Sequence, residues 1–285
     1  MHEAAALAAS GAFAMTADFS QAAAEADSTS ARPMAAELIK RPGLLVIAHR
    51  GLSSRFPENT LPAFTEALPF KPDFVELDYR HSSDGVPIVI HDSKLDRTTN
   101  SVSLFGAKEV VIGAKTAAEL KPLDAGTWYD AKFAGTHLPT LDESLDAILA
   151  GSCCMVERKD GDAETLVELL HKKGVAERCI VQAFDWAFIA DVRKLDPSIV
   201  TGLLGKEALD AAKIAKAREI GSEVVGWSHS NLTASEIAAA HAAGLKVWSY
   251  TVDKPDRARE LAAAGLDGLI TNKADLARAW LAESK

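Results

Sequence analysis

From Gly43 onward, short apolar runs alternate with longer Ala/Leu-rich stretches of helical period, and this alternation limits the fold more than any single residue does. Eight runs read as strands: Leu44–Ala48, Asp73–Asp78, Cys153–Glu157, Cys179–Gln182, Ile199–Leu203, Glu223–Trp227, Lys246–Thr251 and Asp267–Thr271. Helical stretches start near Thr60, Thr140, Ala163, Asp185, Lys206, Thr233, Lys254 and Lys273. Thr140-x-x-Glu143 and Thr233-x-x-Glu236 pair a hydroxyl with a Glu three residues on, so each reads as a helix-opening capping box. Eight strand–helix units in about 245 residues have the size and rhythm of an α/β chain folded as a (βα)8 TIM barrel. A doubly wound sheet reads the same along the chain. It is disfavoured because no Gly-rich dinucleotide fingerprint follows Leu44–Ala48.

One apolar run falls outside the count. Val86–Ile90 begins eight residues after Asp78, with Asp84-Gly85 between. No crossover helix fits there, and Asp-Gly is a hairpin signal. Tyr79–His91 is therefore expected to be a hairpin that carries His91 back to the mouth of the barrel. Residues 92–139 then form a loop-rich insertion at the C-terminal face, with a short helix at Thr116–Leu120. Residues 1–40 are expected to stand apart as an Ala-rich tail, and residues 41–285 as one domain. The first 31 residues hold 13 Ala, four acids and no Lys or Arg. Leu7 to Met15 resembles the apolar core of an export signal, but the positive start is missing. That favours a cytoplasmic protein over an exported one carrying a signal remnant.

Charge narrows the partners. With 31 basic against 40 acidic residues, the formal net charge is −9, a field that repels nucleic acid and anionic lipid. No stretch approaches the ~18–20 apolar residues of a membrane span. Cys153 and Cys154 are neighbours facing opposite sides of a strand, and with Cys179 they read as buried free thiols.

Four strand ends carry chemistry. His49-Arg50-Gly51 ends the first strand, Glu76-x-Asp78 the second, His91-Asp92 the hairpin and Glu157-x-Lys159 the third barrel strand. A (βα)8 barrel gathers such ends on one face. Glu76 and Asp78 point the same way, and Glu157 comes from the next stave. Three carboxylates held together repel one another unless a cation or protons intervene, and hard oxygen donors favour Mg²⁺ or Ca²⁺ over zinc. His49 and His91 suit acid–base work, while Arg50 and Lys159 suit phosphate oxygens. Gln182, Trp227 and Trp248, at or near strand ends, are candidates for the substrate pocket. His2, His81, His137, His171 and His241 read as surface residues, and His229 stays open between the two. Acids, bases, cations and a divalent ion, with no Walker loop, kinase signature or nucleophile elbow, point to phosphodiester cleavage.

These residues sit in a longer series: His49-Arg50-Gly51, Pro57-Glu58-Asn59-Thr60, Val75-Glu76-Leu77-Asp78, Asp84-Gly85-Val86-Pro87, His91-Asp92, Leu95-Asp96-Arg97-Thr98-Thr99, Leu138-Pro139-Thr140-Leu141, Glu157-Arg158-Lys159 and Val247-Trp248-Ser249-Tyr250-Thr251-Val252-Asp253. From about Val46 to Lys273 the sequence resembles the glycerophosphodiester phosphodiesterase family. The resemblance implies a metal-dependent (βα)8 barrel that cleaves a small glycerophosphodiester to glycerol 3-phosphate and an alcohol. It implies metal ligands at Glu76, Asp78 and Glu157, catalytic histidines at His49 and His91, and phosphate-binding cations at Arg50 and Lys159. The family often has Ile or Leu where Arg158 stands. Its usual Ser-Phe reads Gln182-Ala183-Phe184 here, and its usual Thr-Asp reads Thr271-Asn272, both expected to lie outside the central constellation. Two other functions share these motifs. A relative acting on lysophospholipid or sphingomyelin in the phospholipase D manner needs an apolar groove, and the insertion offers Val102, Leu104, Phe105, Val110, Val111 and Ile112. A barrel that binds phosphate ligands without turnover is the other.

Overall fold

The computed structural model describes residues 34–282. Eight parallel strands close into a barrel. They are β1 (Leu45–Ala48), β2 (Phe74–His81), β4 (Cys153–Arg158), β5 (Cys179–Ala183), β6 (Val200–Gly205), β7 (Val224–Ser228), β8 (Lys246–Tyr250) and β9 (Gly268–Thr271). The ring is sealed where β1 pairs in register with both β2 and β9. β3 (Pro87–Val89) is antiparallel to the upper part of β2, with Tyr79 opposite Val89 and His81 opposite Pro87. The expected hairpin is therefore present.

Several helices begin where a side chain caps them. Thr140 accepts from the Glu143 amide while Glu143 Oε2 accepts from the Thr140 amide at 2.9 Å, and Thr233 and Glu236 repeat the exchange. One start moves. The helix expected near Lys206 runs from Ala211 to Ile220 and is capped by Asp210. Residues 206–210 instead form a loop tied down by the Trp227 indole on the Glu207 carbonyl and by Glu236 on the Leu209 amide.

Strand alternation sorts the side chains into two cores. Val75, Leu77, Cys154, Val156, Val181, Val225 and Trp227 face outward and pack under the helices. Ile47, Phe74, Met155, Ile180, Val224, Trp248 and Ile270 fill the barrel interior. Cys153 and Cys154 accordingly fall in different cores, and all three cysteines are free and buried. Gly268 is required beside Trp248, since a Cβ there would come within 2.5 Å of the indole Cγ. The expected boundary at residue 40 also moves. Ala35, Leu38 and Ile39 are buried with the barrel-interior residues and close its N-terminal end. Residues 1–33, including the stretch resembling an export signal, lie outside the described residues.

The insertion makes its own small core. Leu95, Ile112, Leu120 and Leu123 are buried against Ile88 and Ile90 of the hairpin, with Phe105 and Val110 packed around them. Val102, Leu104 and Val111 remain exposed, so the apolar residues of the insertion divide between packing and open surface. Among the described residues, no helix is long and apolar enough to cross a membrane.

Candidate active site

The interior parity of β1, β2 and β4 ends in polar residues at one mouth. Asp78 stands opposite Glu157 in the β2–β4 register, and Glu76 lies one inward-facing position below Asp78. One oxygen from each of these carboxylates lies within 4.8 Å of the others, and all three residues are buried. Several neighbouring donors are aimed at them. The Arg50 amide donates to Glu76 Oε2 at 2.8 Å. Asn59 Nδ2 donates to Asp78 Oδ2 at 2.8 Å while its own Oδ1 accepts from the Asp78 amide at 3.1 Å. Arg50 Nε is 3.1 Å from Asp78 Oδ2, and Lys159 Nζ is 3.1 Å from Asp78 Oδ1 and paired with Glu157.

Even so, the carboxylates outnumber their compensation. Glu76 Oε1 is buried without a hydrogen-bond partner. Burial and the charges of Asp78 and Glu157 push Glu76 well above the ordinary carboxylate range. Burial and then Asp78 push Glu157 up to about 7. Burial acts against Asp78 too, but Lys159 and Arg50 hold it below its usual value. A cluster of hard oxygens in which Glu76 Oε1 and Asp78 Oδ1 are buried without hydrogen bonds, and in which two carboxylates are driven toward protonation, fits a divalent cation.

The local backbone explains why Arg50 reaches so far in. Arg50 and Gly51 both have positive φ, 56° and 80°, and a Cβ at residue 51 would come within 2.5 Å of the Ala63 carbonyl. Only glycine permits this approach, which turns the Arg50 amide and guanidinium toward the carboxylates.

The two histidines are held differently. His49 Nδ1 is 2.7 Å from Asn272 Oδ1. Burial first, and the adjacent Arg50 second, lower its pKa to about 4, so the ring is neutral at neutral pH. His91 is delivered by the hairpin: the Ile90 amide donates to the Asp78 carbonyl, and Arg80 Nε donates to the His91 carbonyl. Its Nδ1 is 2.6 Å from the carboxylate of Asp92. Arg97 pairs with Asp92 and forks onto Glu58 through bonds of 2.7 and 3.0 Å, and Glu58 accepts from Arg50 at 2.8 Å. A chain of charges thus joins Arg50 to His91 through the first residues of the insertion.

A cavity of about 90 Å³ opens among His49, Arg50, Glu76, Glu157, Lys159 and Gln182. Gln182, on β5, lines it. The two tryptophans do not. Trp227 sits between inward-facing Gly226 and Ser228, so its ring turns outward to the helices. Trp248 points inward but in the layer of Phe74, 5.3 Å between ring centroids, among the interior apolar residues. Asn272, expected outside the central constellation, bonds directly to His49. Asn59, Glu58 and Arg97 lie in motifs visible in the sequence, yet spacing alone does not reveal their contacts. Phe184, 47% exposed, also lines the cavity and packs edge-on against Tyr250. Arg158 turns away from Glu157 and pairs with Asp185. His81, expected at the surface, has its Nε2 buried and its ring against Gly161. His229 lies outside the cavity, its pKa lowered by burial and Arg257.

Residues 49–162 and 149–276 match the Glycerophosphoryl diester phosphodiesterase family. A glycerophosphodiester phosphodiesterase of Caldanaerobacter subterraneus subsp. tengcongensis is 34% identical over 236 residues, 80% of this chain and 93% of the relative. One of Bacillus subtilis is 31% identical over 255 residues, 82% of this chain and 85% of the relative. Among solved structures, an Oleispira antarctica phosphodiesterase in complex with its product sn-glycerol-3-phosphate superposes with a TM-score of 0.76 at 27% identity, covering 84% of this chain and 96% of that one.

Proposed function

The chain belongs to the Glycerophosphoryl diester phosphodiesterase family and is a glycerophosphodiester hydrolase, and from that premise we propose how its residues divide the work. Glu76, Asp78 and Glu157 hold one Mg²⁺ or Ca²⁺. Arg50 and Lys159 bind the phosphate, and His49 and His91 move protons to yield glycerol 3-phosphate and an alcohol. The bound ion would neutralise phosphate charge and lower the pKa of a coordinated hydroxyl. The observation that carries this reading is the single small cavity that His49, Arg50, Glu76, Glu157 and Lys159 share.

The attacking group is expected to come from the substrate. Ser53 is engaged with the His49 carbonyl and Asn272, and Thr251, on the cavity wall, makes no hydrogen bond to either histidine among the described residues. The glycerol hydroxyl beside the phosphoester is already tethered. One histidine takes its proton as its oxygen forms a bond to phosphorus. The bond from phosphorus to the head-group oxygen breaks, and the other histidine protonates that oxygen. Water then opens the cyclic phosphate with the roles reversed. Tethering is worth up to ~10⁵–10⁸ M in effective concentration. The 2-deoxy analogue of glycerophosphocholine should therefore turn over at least ~10³-fold more slowly under saturating metal, within that advantage. Equal rates for the two would exclude the cyclic route.

Choline release from glycerophosphocholine, from lysophosphatidylcholine and from neither, with metal supplied, tests the substrate class. A cavity of about 90 Å³ suits a small polar diester better than an acyl chain, and the larger apolar groove near Leu61, Ile88 and Leu138 shares no lining residue with it. Faster turnover of the lysolipid would overturn this reading. No release from either would favour a binding barrel.

A further inference from the structure

His49 and Asn272 are 223 positions apart, yet the amide decides what the imidazole can do. Asn272 Nδ2 lies 2.6 Å from Asp253 Oδ2, a carboxylate oxygen that can only accept. This fixes which end of the amide faces which neighbour. Its oxygen is turned to His49 Nδ1, with the Ser53 hydroxyl 2.8 Å away as a further donor. Asp253 is itself immobilised, its Oδ1 accepting from the Asn272 amide and from Thr271 Oγ1, both at 2.9 Å. The carboxylate orients the amide, and the amide oxygen requires a hydrogen on Nδ1. Arg50, Asp78 and Glu58 act on His49 through their charges, but none of them hydrogen-bonds the ring. Selection of the tautomer therefore falls to Asn272.

We propose that Asp253 and Asn272 are positioning residues that lock His49 as the Nδ1–H tautomer, leaving Nε2 with a lone pair to accept the proton of the reacting hydroxyl. The inference rests on His49 being catalytic, as read above. It adds two residues that hydrogen-bond neither the carboxylate cluster nor His91 among the described residues, and it makes His49 the base of the first step. The same logic operates wherever a partner on one imidazole nitrogen sets the protonation of the other.

The decisive variant is Asp253→Asn in the full-length chain. The new side chain keeps an oxygen for the Asn272 amide and Thr271 hydroxyl, so its NH₂ faces the Asn272 side chain. That side chain must then turn over, presenting NH₂ to His49 Nδ1, and the imidazole hydrogen moves to Nε2. NMR of ¹⁵N-histidine-labelled protein reads this directly, the His49 signal being identified by its loss in His49→Ala. The expected result is a switch at His49 from Nδ1–H to Nε2–H. With it, kcat for glycerophosphocholine falls by the ~10²–10⁴-fold of a lost base, while KM stays within about threefold. Adding Asn272→Asp to Asp253→Asn returns an acceptor to Nδ1, and should restore the original tautomer and most of kcat. An unchanged His49 tautomer in Asp253→Asn overturns the proposal whatever the rate. If that variant folds poorly, Asn272→Leu leaves Asp253 its Thr271 and backbone donors and should populate both tautomers; pure Nδ1–H there overturns the proposal equally. A switched tautomer with unchanged kcat would instead overturn the assignment of His49 as base.

Discussion

Exhaustive chelation should reduce turnover of glycerophosphocholine to the uncatalysed background, and Mg²⁺ or Ca²⁺ should restore it. The reason lies in charge balance. Without a cation, three buried carboxylates share the cations of Arg50 and Lys159, and Glu76 Oε1 has no partner. Glu76→Ala, Asp78→Ala and Glu157→Ala should each lose metal affinity together with rate. Asn59→Ala should weaken metal binding by the ~10–100-fold typical of a residue that only orients a ligand, because it frees Asp78 to rotate. Protons compete with the ion for the same oxygens. Glu157 is raised to about 7, so in the metal-free protein it gains a proton as pH falls through 7, and apparent metal affinity should fall with it. Full activity in protein shown to be metal-free would sink the metal assignment.

His49→Ala and His91→Ala should each lower kcat by ~10²–10⁴-fold, the usual loss for an acid or base, with metal affinity retained. The two losses should differ in kind. His49 meets a neutral amide and is kept uncharged, while His91, although burial lowers its pKa, has the Asp78 and Asp92 carboxylates beside it to stabilise the imidazolium when it forms. His91 is therefore placed to protonate the departing alcohol. A diester with p-nitrophenol as leaving group needs no such proton and should recover most of the rate in His91→Ala but not in His49→Ala. Rescue of neither variant, or of His49→Ala alone, would break this assignment.

The strand ends were legible because β-strand alternation is strict. Glu76 and Asp78 share a face by parity, and Glu157 follows from the next stave. Parity applied to Trp227 would also have turned it outward, and it is the depth of Trp248 along the barrel that parity leaves undetermined. Helix starts were readable where a hydroxyl or carboxylate caps the first turn. The start near Lys206 was misplaced because Asp210, the actual cap, follows a loop held by contacts to Trp227 and Glu236, which are distant in sequence. Asn272 was missed for a similar reason. Its partner His49 lies at the other end of the chain, so no local pattern announces the bond. The residues Ala35–Ile39 are too short a run to show periodicity, and their burial depends on a barrel end that exists only after closure.

That closure has a consequence for how activity is acquired during synthesis. The carboxylates stand on β2 and β4, early in the chain, and need no later strand for their mutual register. The proposed base, His49, is held by Asn272 just after β9, whose pairing with β1 joins Ala48 to Thr271. A ribosome working at ~5–20 residues per second takes on the order of ten seconds or more to travel between them. Through that interval the nascent sheet has two open edges. On the proposed roles, the carboxylate cluster would be in register before the His49–Asn272 contact, which waits for the final turn of the ring. On the roles proposed above, turnover would report completed topology, because a chain that stalls before Gly268 carries Glu76, Asp78 and Glu157 but lacks Asn272, the partner of His49.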